Sequence, residues 1–246
     1  MTLARRAMRR ADPTKETPER EIKFHGQSCF EITEGDTVVL TDPFLKPNNP
    51  VADVTADEVD PTVIAISHGH ADHIADAVAV AKRTGAHCVG LVELAGWLGE
   101  QGVENVSDPN FGGTVSFDWG WIKFVPAWHT NTLPDGTVIG NPAGMLINIG
   151  GKTIYHAGDT CLFGDMKLIA ERNPIDIALL PIGGHYTMDR HDAVVAAQFV
   201  GADTVIPMHF NTFPPIETDA SAFKVDVEAA GAGNVVILEP GGSHTA

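Results

Sequence analysis

The stretch Ser67-His68-Gly69-His70-Ala71-Asp72-His73 places three imidazoles and a carboxylate within six residues. It follows residues 62–66, a run rich in β-branched apolar side chains, which predicts a buried strand. Neutral imidazole and carboxylate are common protein ligands for zinc, manganese and iron. Four such groups on a turn at the end of one strand could reach two neighbouring metal ions. We therefore predict that this stretch binds metal.

Further polar side chains stand where other predicted strands end: His129, Asp159, His185 and His209. In α/β architectures such strand ends converge on one crevice. Two metal ions about 3.5–4 Å apart can share a carboxylate and a hydroxide, and seven of these eight side chains together with one hydroxide suit that arrangement. Asp42 also ends a predicted strand, where it could orient a ligand histidine or simply form a turn before Pro43.

The charge of the chain narrows the classes of partner. The 246 residues carry a formal net charge of −16, and the acidic excess lies beyond residue 20, where 29 acidic side chains face 10 basic ones. Such a chain repels nucleic acid and anionic lipid at long range. We expect a small-molecule substrate, no nucleic acid and no membrane partner, and we leave homo-oligomer formation open.

The cysteine content predicts a compartment. The three cysteines form no Cys-x-x-Cys pair, so neither a disulfide framework nor a thiolate zinc site is indicated. A reducing cytoplasm is the expected location. The sequence contains no run of 18 apolar residues, so we predict no membrane span.

The pattern of elements predicts an α/β fold. Residues 1–20, with six basic side chains, read as a flexible basic tail, and residues 21–246 as a single domain. We predict one helix over residues 74–84, a hairpin of strands 143–149 and 152–156, a helix over residues 191–200 capped by Asp189, and a last strand over residues 235–238. Two β-rich blocks, each followed by helices, indicate two β/α halves with the sheets inside.

The order of the candidate ligands carries a family resemblance. The pattern His68-x-His70-x-Asp72-His73, followed by His129, Asp159 and His209, resembles the metallo-β-lactamase superfamily. More narrowly, the stretches PAWHT, IYHAGDT, LLPIGGHYTM and IPMHFNTFP are similar to the metal-dependent hydrolase branch related to ascorbate-6-phosphate lactonase. The resemblance implies that residues 21–246 form one metallo-hydrolase domain, a four-layer αββα sandwich. It assigns His68, His70 and His129 to one metal ion, Asp72, His73 and His209 to a second, and Asp159 to a bridge between them.

The implied reaction is hydrolysis by a bridging hydroxide at a dinuclear centre. Zinc is the expected metal, with manganese or iron as alternatives, and a lactone or phosphorylated lactone is the expected substrate. Asp72 and Asp159 are the predicted catalytic carboxylates, and Asp72 could also carry the proton to the leaving group. His185 is a predicted substrate contact or oxyanion donor, with a structural role as its alternative.

Two rival activities exist within the same fold: a mononuclear iron oxygenase acting on thiols or persulfides, and a phosphodiesterase. A complete second ligand set favours hydrolysis over the oxygenase. The chain departs from related sequences in one turn, where it has Gly26-Gln27-Ser28 in place of Gly-His-Ser. Because the bridging position holds Asp159 where the zinc β-lactamases proper have a cysteine, a β-lactam substrate is disfavoured.

Overall fold

Two seven-stranded sheets organise residues 20–246, the part of the chain that the computed structural model describes. The first sheet contains β1 (Glu21–Gly26), β2 (Cys29–Glu34), β3 (Thr37–Thr41), β4 (Val63–Ala65), β5 (His87–Val89), β6 (Val106–Ser107) and β14 (Ser243–Thr245). The second contains β7 (Thr114–Phe117), β8 (Gly120–Pro126), β9 (Ala143–Ile149), β10 (Lys152–His156), β11 (Ile177–Pro181), β12 (Thr204–Met208) and β13 (Asn234–Val235). The helices are α1 (Ala71–Ile74), α2 (Ala77–Thr84), α3 (Val92–Glu100), α4 (Met166–Arg172), α5 (Arg190–Val200) and α6 (Ala220–Ala229), and Pro214–Ile216 forms a 3₁₀ turn.

Both sheets are mixed in the same way. The strand order is β14-β1-β2-β3-β4-β5-β6 in the first sheet and β13-β12-β11-β10-β9-β8-β7 in the second. In each sheet an antiparallel meander comes first in the chain and parallel strands follow, from β3 to β6 and from β10 to β13. Parallel strands need crossover connections, and the helices lie in them. The parallel strand ends therefore meet at one edge of each sheet.

The core explains the layers. Phe24 and Phe30 of the first sheet belong to one buried cluster with Phe124 and Met145 of the second sheet. A second cluster joins β4 to the buried faces of α2 and α3. Helices α5 and α6 contact the second sheet through β11 and β13. Helices outside and two sheets inside confirm the predicted αββα sandwich.

The predicted helix over residues 74–84 is interrupted. Its residues divide between α1 and α2, because the backbone N–H of Asp76 donates to the carbonyl of Pro43 instead of continuing the helical ladder. The Asp76 carboxylate accepts from the backbone N–H of Leu45 at 2.7 Å and from the Asn48 amide at 2.9 Å. A long-range contact thus overrides local helix propensity.

The C-terminal strands also differ from the prediction. The strand expected over residues 235–238 is only Asn234–Val235, and no sequence pattern indicated β14, which pairs antiparallel with β1. The other named elements agree: the hairpin is β9–β10, and Asp189 caps α5 by accepting from the backbone N–H groups of His191 and Asp192.

The start of the described chain is fixed at Arg20. This residue is 5% exposed, and its guanidinium donates to the carbonyls of Gly150 and Ala246. The remainder of the predicted tail, residues 1–19, lies outside the described residues. None of the helices described here is long and apolar enough to cross a membrane.

Candidate metal centre

The four donors between His68 and His73 are positioned by the turn after β4. The backbone N–H of Gly69 donates to Asn131 Oδ1 at 2.7 Å, which ties this turn to the loop after β8. A Cβ atom at Gly69 would lie 2.9 Å from the Ile139 side chain and 3.1 Å from Asn131 Oδ1, so a larger residue would push the loop away. Helix α1 then begins at Ala71 and presents Asp72 and His73.

The remaining donors follow strands of the second sheet. His129 comes shortly after β8, Asp159 after β10 and His209 directly after β12. The backbone at His209 is left-handed, with φ of 53°, and its N–H donates to the carbonyl of Gln27 at 2.7 Å. The seven predicted ligands converge in two groups whose donor atoms lie within 4.8 Å of one another: His68, His70 and His129, and Asp72, His73, Asp159 and His209.

The hydrogen bonds around Ser67 determine the tautomer of His68. Ser67 Oγ donates to Asp42 Oδ2 at 2.7 Å, so this hydroxyl accepts from His68 Nδ1, 3.0 Å away. With the proton on Nδ1, His68 Nε2 carries a lone pair. It lies 2.9 Å from His70 Nδ1. Two convergent imidazole nitrogens at this distance suit a shared cation.

Asp42 orients His73, one of the candidate ligands of the second group. Its buried carboxylate accepts from His73 Nδ1 at 2.8 Å, which fixes the His73 tautomer and points Nε2 at the other ligands. His73 Nε2 lies 3.4 Å from Asp159 Oδ1 and 3.6 Å from Asp72 Oδ2. This geometry agrees with the orienting role considered for Asp42, which also forms the turn at Pro43.

Unpaired buried atoms test whether these residues fit a metal. His73 Nε2, His209 Nε2 and Asp159 Oδ1 are buried without a hydrogen-bond partner. Burying polar atoms unpaired is unfavourable by about 1–3 kcal/mol each. Coordination to a divalent cation would satisfy all three, so the donor set fits metal.

Asp159 borders both groups. Its Oδ2 lies 3.1 Å from His209 Nε2, 3.6 Å from His129 Nε2 and 4.0 Å from His68 Nε2. Burial by itself would raise the pKa of Asp159, but the neighbouring His209 and His73 hold it well below its usual value. The group is therefore a carboxylate at neutral pH.

The pKa values of His68 and His209 are shifted in opposite directions. Burial lowers the pKa of His68 well below its usual value, which keeps this imidazole neutral and ready to ligate. For His209 burial also acts downward, but the charge of the neighbouring Asp159 carboxylate raises the pKa to about 9. Metal binding at His209 must displace a proton.

A cavity of about 520 Å³ opens over the candidate ligands. It is lined by Gln27, Phe44, His70, Ala71, Asp72, His129, Thr130, Asp159, Tyr186, His209, Phe213 and Pro215. Candidate ligands of both groups thus face the same space as several apolar side chains. A small molecule in this cavity would contact both.

His185 is not brought to this cavity. It is exposed at a left-handed turn with φ of 53°, and its ring stands edge-on to that of Tyr186, with the centroids 4.5 Å apart. Tyr186 lines the cavity, whereas His185 is absent from its lining. The catalytic role of His185 therefore stays a prediction that no contact in the structure supports.

Gln27 is a functional candidate that the sequence left unassigned. Its side chain is 1% exposed, lines the cavity and donates from Nε2 to Asp72 Oδ2 at 2.8 Å. The only sequence signal was a polar residue in the turn between two strands, and it does not reveal a partner 45 residues away. The neighbouring His25 instead bonds through Nδ1 to Asp53 Oδ1 at 2.7 Å and does not line the cavity.

Comparison with known proteins places this arrangement in a family. The beta-lactamase superfamily domain profile matches residues 21–209. A UPF0173 metal-dependent hydrolase of Shouchella clausii is 46% identical over 221 residues, covering 88% of this chain and 96% of the relative. Its counterpart in Listeria innocua is 46% identical over 225 residues, covering 90% and 98%.

A solved structure agrees. Igni18, a metallo hydrolase from the archaeon Ignicoccus hospitalis, superposes with a TM-score of 0.84 at 36% identity, covering 93% of this chain and 98% of its own. The narrower likeness to ascorbate-6-phosphate lactonase is not confirmed by these relatives and stays a prediction. The fold, the profile and the relatives agree on the broader family, and the chain belongs to the metallo-β-lactamase superfamily, in the branch whose members are named metal-dependent hydrolases.

Proposed function

We propose that this protein is a metal-dependent hydrolase whose seven donors hold two divalent ions, with zinc as the expected metal and manganese or iron as alternatives. The observation that carries the proposal is the position of Asp159. Its carboxylate lies within 4.0 Å of ligand nitrogens in both groups, while each group has two or more further donors of its own. A carboxylate between two donor sets is the arrangement that supports a two-ion site.

The bound ions, Asp159 and Asp72 would have different roles in hydrolysis. When bound, the two ions would supply Lewis acidity and lower the pKa of a water so that it serves as the nucleophile at neutral pH. Asp159 would hold the two groups of ligands next to each other. Asp72, which Gln27 holds at 2.8 Å, faces the cavity and could pass a proton to the leaving group.

The proposed substrate is a small lactone or phosphorylated lactone that the cavity of about 520 Å³ can enclose. His185 remains the proposed oxyanion donor or substrate contact only if the exposed loop rearranges on binding. Replacing it by alanine should then lower kcat/KM by roughly 10²-fold with metal content unchanged. Unchanged kinetics would remove His185 from the site.

Metal stoichiometry tests the two-ion proposal. Protein purified without chelator should contain close to two transition-metal ions per chain by elemental analysis. His129→Ala and His73→Ala remove one donor from each group, so each should lower the content towards one ion. His191→Ala is the matched control, because His191 is exposed on α5 and belongs to neither group.

The rival activities give different results. A constant value of one iron per chain, insensitive to His73→Ala, with oxygen consumed in the presence of a persulfide, would favour the mononuclear oxygenase and refute the two-ion site. Hydrolysis of bis(p-nitrophenyl) phosphate but of no lactone would favour a phosphodiesterase.

A further inference from the structure

We propose that the cavity selects uncharged lactones whose non-reacting part is an aromatic group, and that it disfavours their phosphorylated counterparts. This inference rests on the proposed hydrolase function and narrows its substrate class. It is carried by the side chains that line the cavity together with the candidate ligands.

The cavity lining includes an apolar wall. Phe44 and Phe213 lie with their ring centroids 6.3 Å apart, and Pro215 and Tyr186 line the same space. Phe44 is buried, whereas Tyr186 is 54% exposed, so its ring remains available for a substrate to cover. Aromatic rings bury large areas and pair well with flat apolar groups. A substrate whose carbonyl reaches the ligands would therefore place the rest of its body against these rings.

Among the described residues that line the cavity there is no lysine or arginine to pair with a peripheral phosphate, and the only carboxylates are Asp72 and Asp159. A phosphate carried away from the reacting carbonyl would meet no lysine or arginine of this lining, which is unfavourable for an anion taken out of water. The net charge of −16 adds a long-range repulsion of anions.

The proposed reaction is a balanced hydrolysis. The oxygen of water bonds to the lactone carbonyl carbon, and the ring C–O bond breaks. One proton of the water ends on the released hydroxyl, and the new carboxylic acid ionises. No oxidant or other co-reactant is needed.

A matched substrate series tests the selectivity. The metal-loaded full-length protein is assayed with dihydrocoumarin, 6-hydroxydihydrocoumarin and the phosphate ester of the latter, which share one reacting ring. We expect kcat/KM for the phosphate ester to be at least about 10²-fold below that of dihydrocoumarin, with the neutral hydroxyl compound between them. An equal or higher value for the phosphate ester would overturn the inference.

Variants locate the selectivity in the wall. Phe213→Ala should raise KM for dihydrocoumarin roughly tenfold with a smaller change in kcat. Tyr186→Arg should raise kcat/KM of the phosphate ester relative to dihydrocoumarin, because it supplies the missing cation. Val225→Ala is the control, since Val225 is 65% exposed on α6 and does not line the cavity. A selectivity ratio that Tyr186→Arg leaves unchanged would contradict the proposed wall.

A binding assay separates this inference from the proposed function. Chroman has the bicyclic body of dihydrocoumarin but no carbonyl, so it is not hydrolysed. Calorimetric titration should show that it binds at least about tenfold more tightly than tetrahydropyran, which lacks the aromatic ring, and Phe213→Ala should abolish the difference. If chroman binds in this way but no lactone is hydrolysed, the hydrolase proposal fails while the apolar wall stands. Equal binding of the two ethers would refute the wall itself.

Discussion

Asp42 provides the sharpest test of how the second ligand group is held. Its carboxylate accepts three hydrogen bonds, from the Ser67 backbone N–H at 2.7 Å, from Ser67 Oγ at 2.7 Å and from His73 Nδ1 at 2.8 Å. In an Asp42→Ala variant the Ser67 hydroxyl still accepts from His68, but its own proton, the Ser67 N–H and His73 Nδ1 all lose their acceptor. At about 1–3 kcal/mol for each buried donor left unpaired, the loss is about 3–9 kcal/mol. That is comparable with the total stability of about 5–15 kcal/mol of a typical domain.

Asp42→Asn is therefore the better perturbation, because it keeps the shape of the side chain. The amide oxygen can still accept from the Ser67 N–H, but the amide nitrogen then faces His73 Nδ1 as a donor. His73 would have to turn Nδ1 into an acceptor and move its proton to Nε2, the atom that points at the other ligands. We expect apparent zinc affinity at this group to fall about 10–100-fold, as is typical when the partner of a ligand histidine is removed.

The assay is a zinc titration in chelator-buffered solution, combined with thermal unfolding of the metal-free protein. Asp76→Asn is the matched control, since Asp76 is also buried and accepts two hydrogen bonds, but from Leu45 and Asn48. It should lower the melting temperature and leave zinc affinity unchanged. Wild-type affinity at both sites in Asp42→Asn would refute the orienting role.

Three further predictions follow from the same contacts. Asp159→Ala should fold but lose about 10–100-fold or more in metal affinity and hydrolysis, and wild-type turnover at saturating metal would reduce Asp159 to a turn residue. Gln27→Leu keeps the volume of the side chain but removes the donor to Asp72, so zinc affinity measured by competition should fall about tenfold. A variant that loses stability but keeps the wild-type zinc affinity would contradict this prediction. In the metal-free protein the pKa of His209 is raised to about 9 from the usual 6.5. The stability gained from this proton is complete below about pH 6.5 and is lost as pH rises through 9, on the order of 3 kcal/mol. Thermal unfolding in EDTA between pH 6 and 10 measures it, and a melting temperature that rises over this range would oppose the argument.

Local sequence patterns determined the elements and the identity of the candidate ligands. Strand periodicity, the turn at Gly150-Gly151 and the cap at Asp189 act within a few residues, so hairpin β9–β10 and helix α5 could be predicted closely. The same holds for the donors, because a polar side chain directly after an apolar strand is visible in the sequence itself. The rule that parallel strand ends meet at one edge then predicts that these donors converge.

Contacts between distant residues decided everything else. The hydrogen bond from Gln27 to Asp72 spans 45 residues, and the bond between Asp42 and His73 spans 31. The break between α1 and α2 likewise depends on Pro43, and β14 forms only because β1 offers a free edge. Tyr186 lines the cavity and His185 does not, because the backbone turns at His185 in a left-handed conformation. Periodicity describes neighbours along the chain, whereas these features depend on which surfaces meet after the two sheets have packed, and that is decided by the tertiary structure alone.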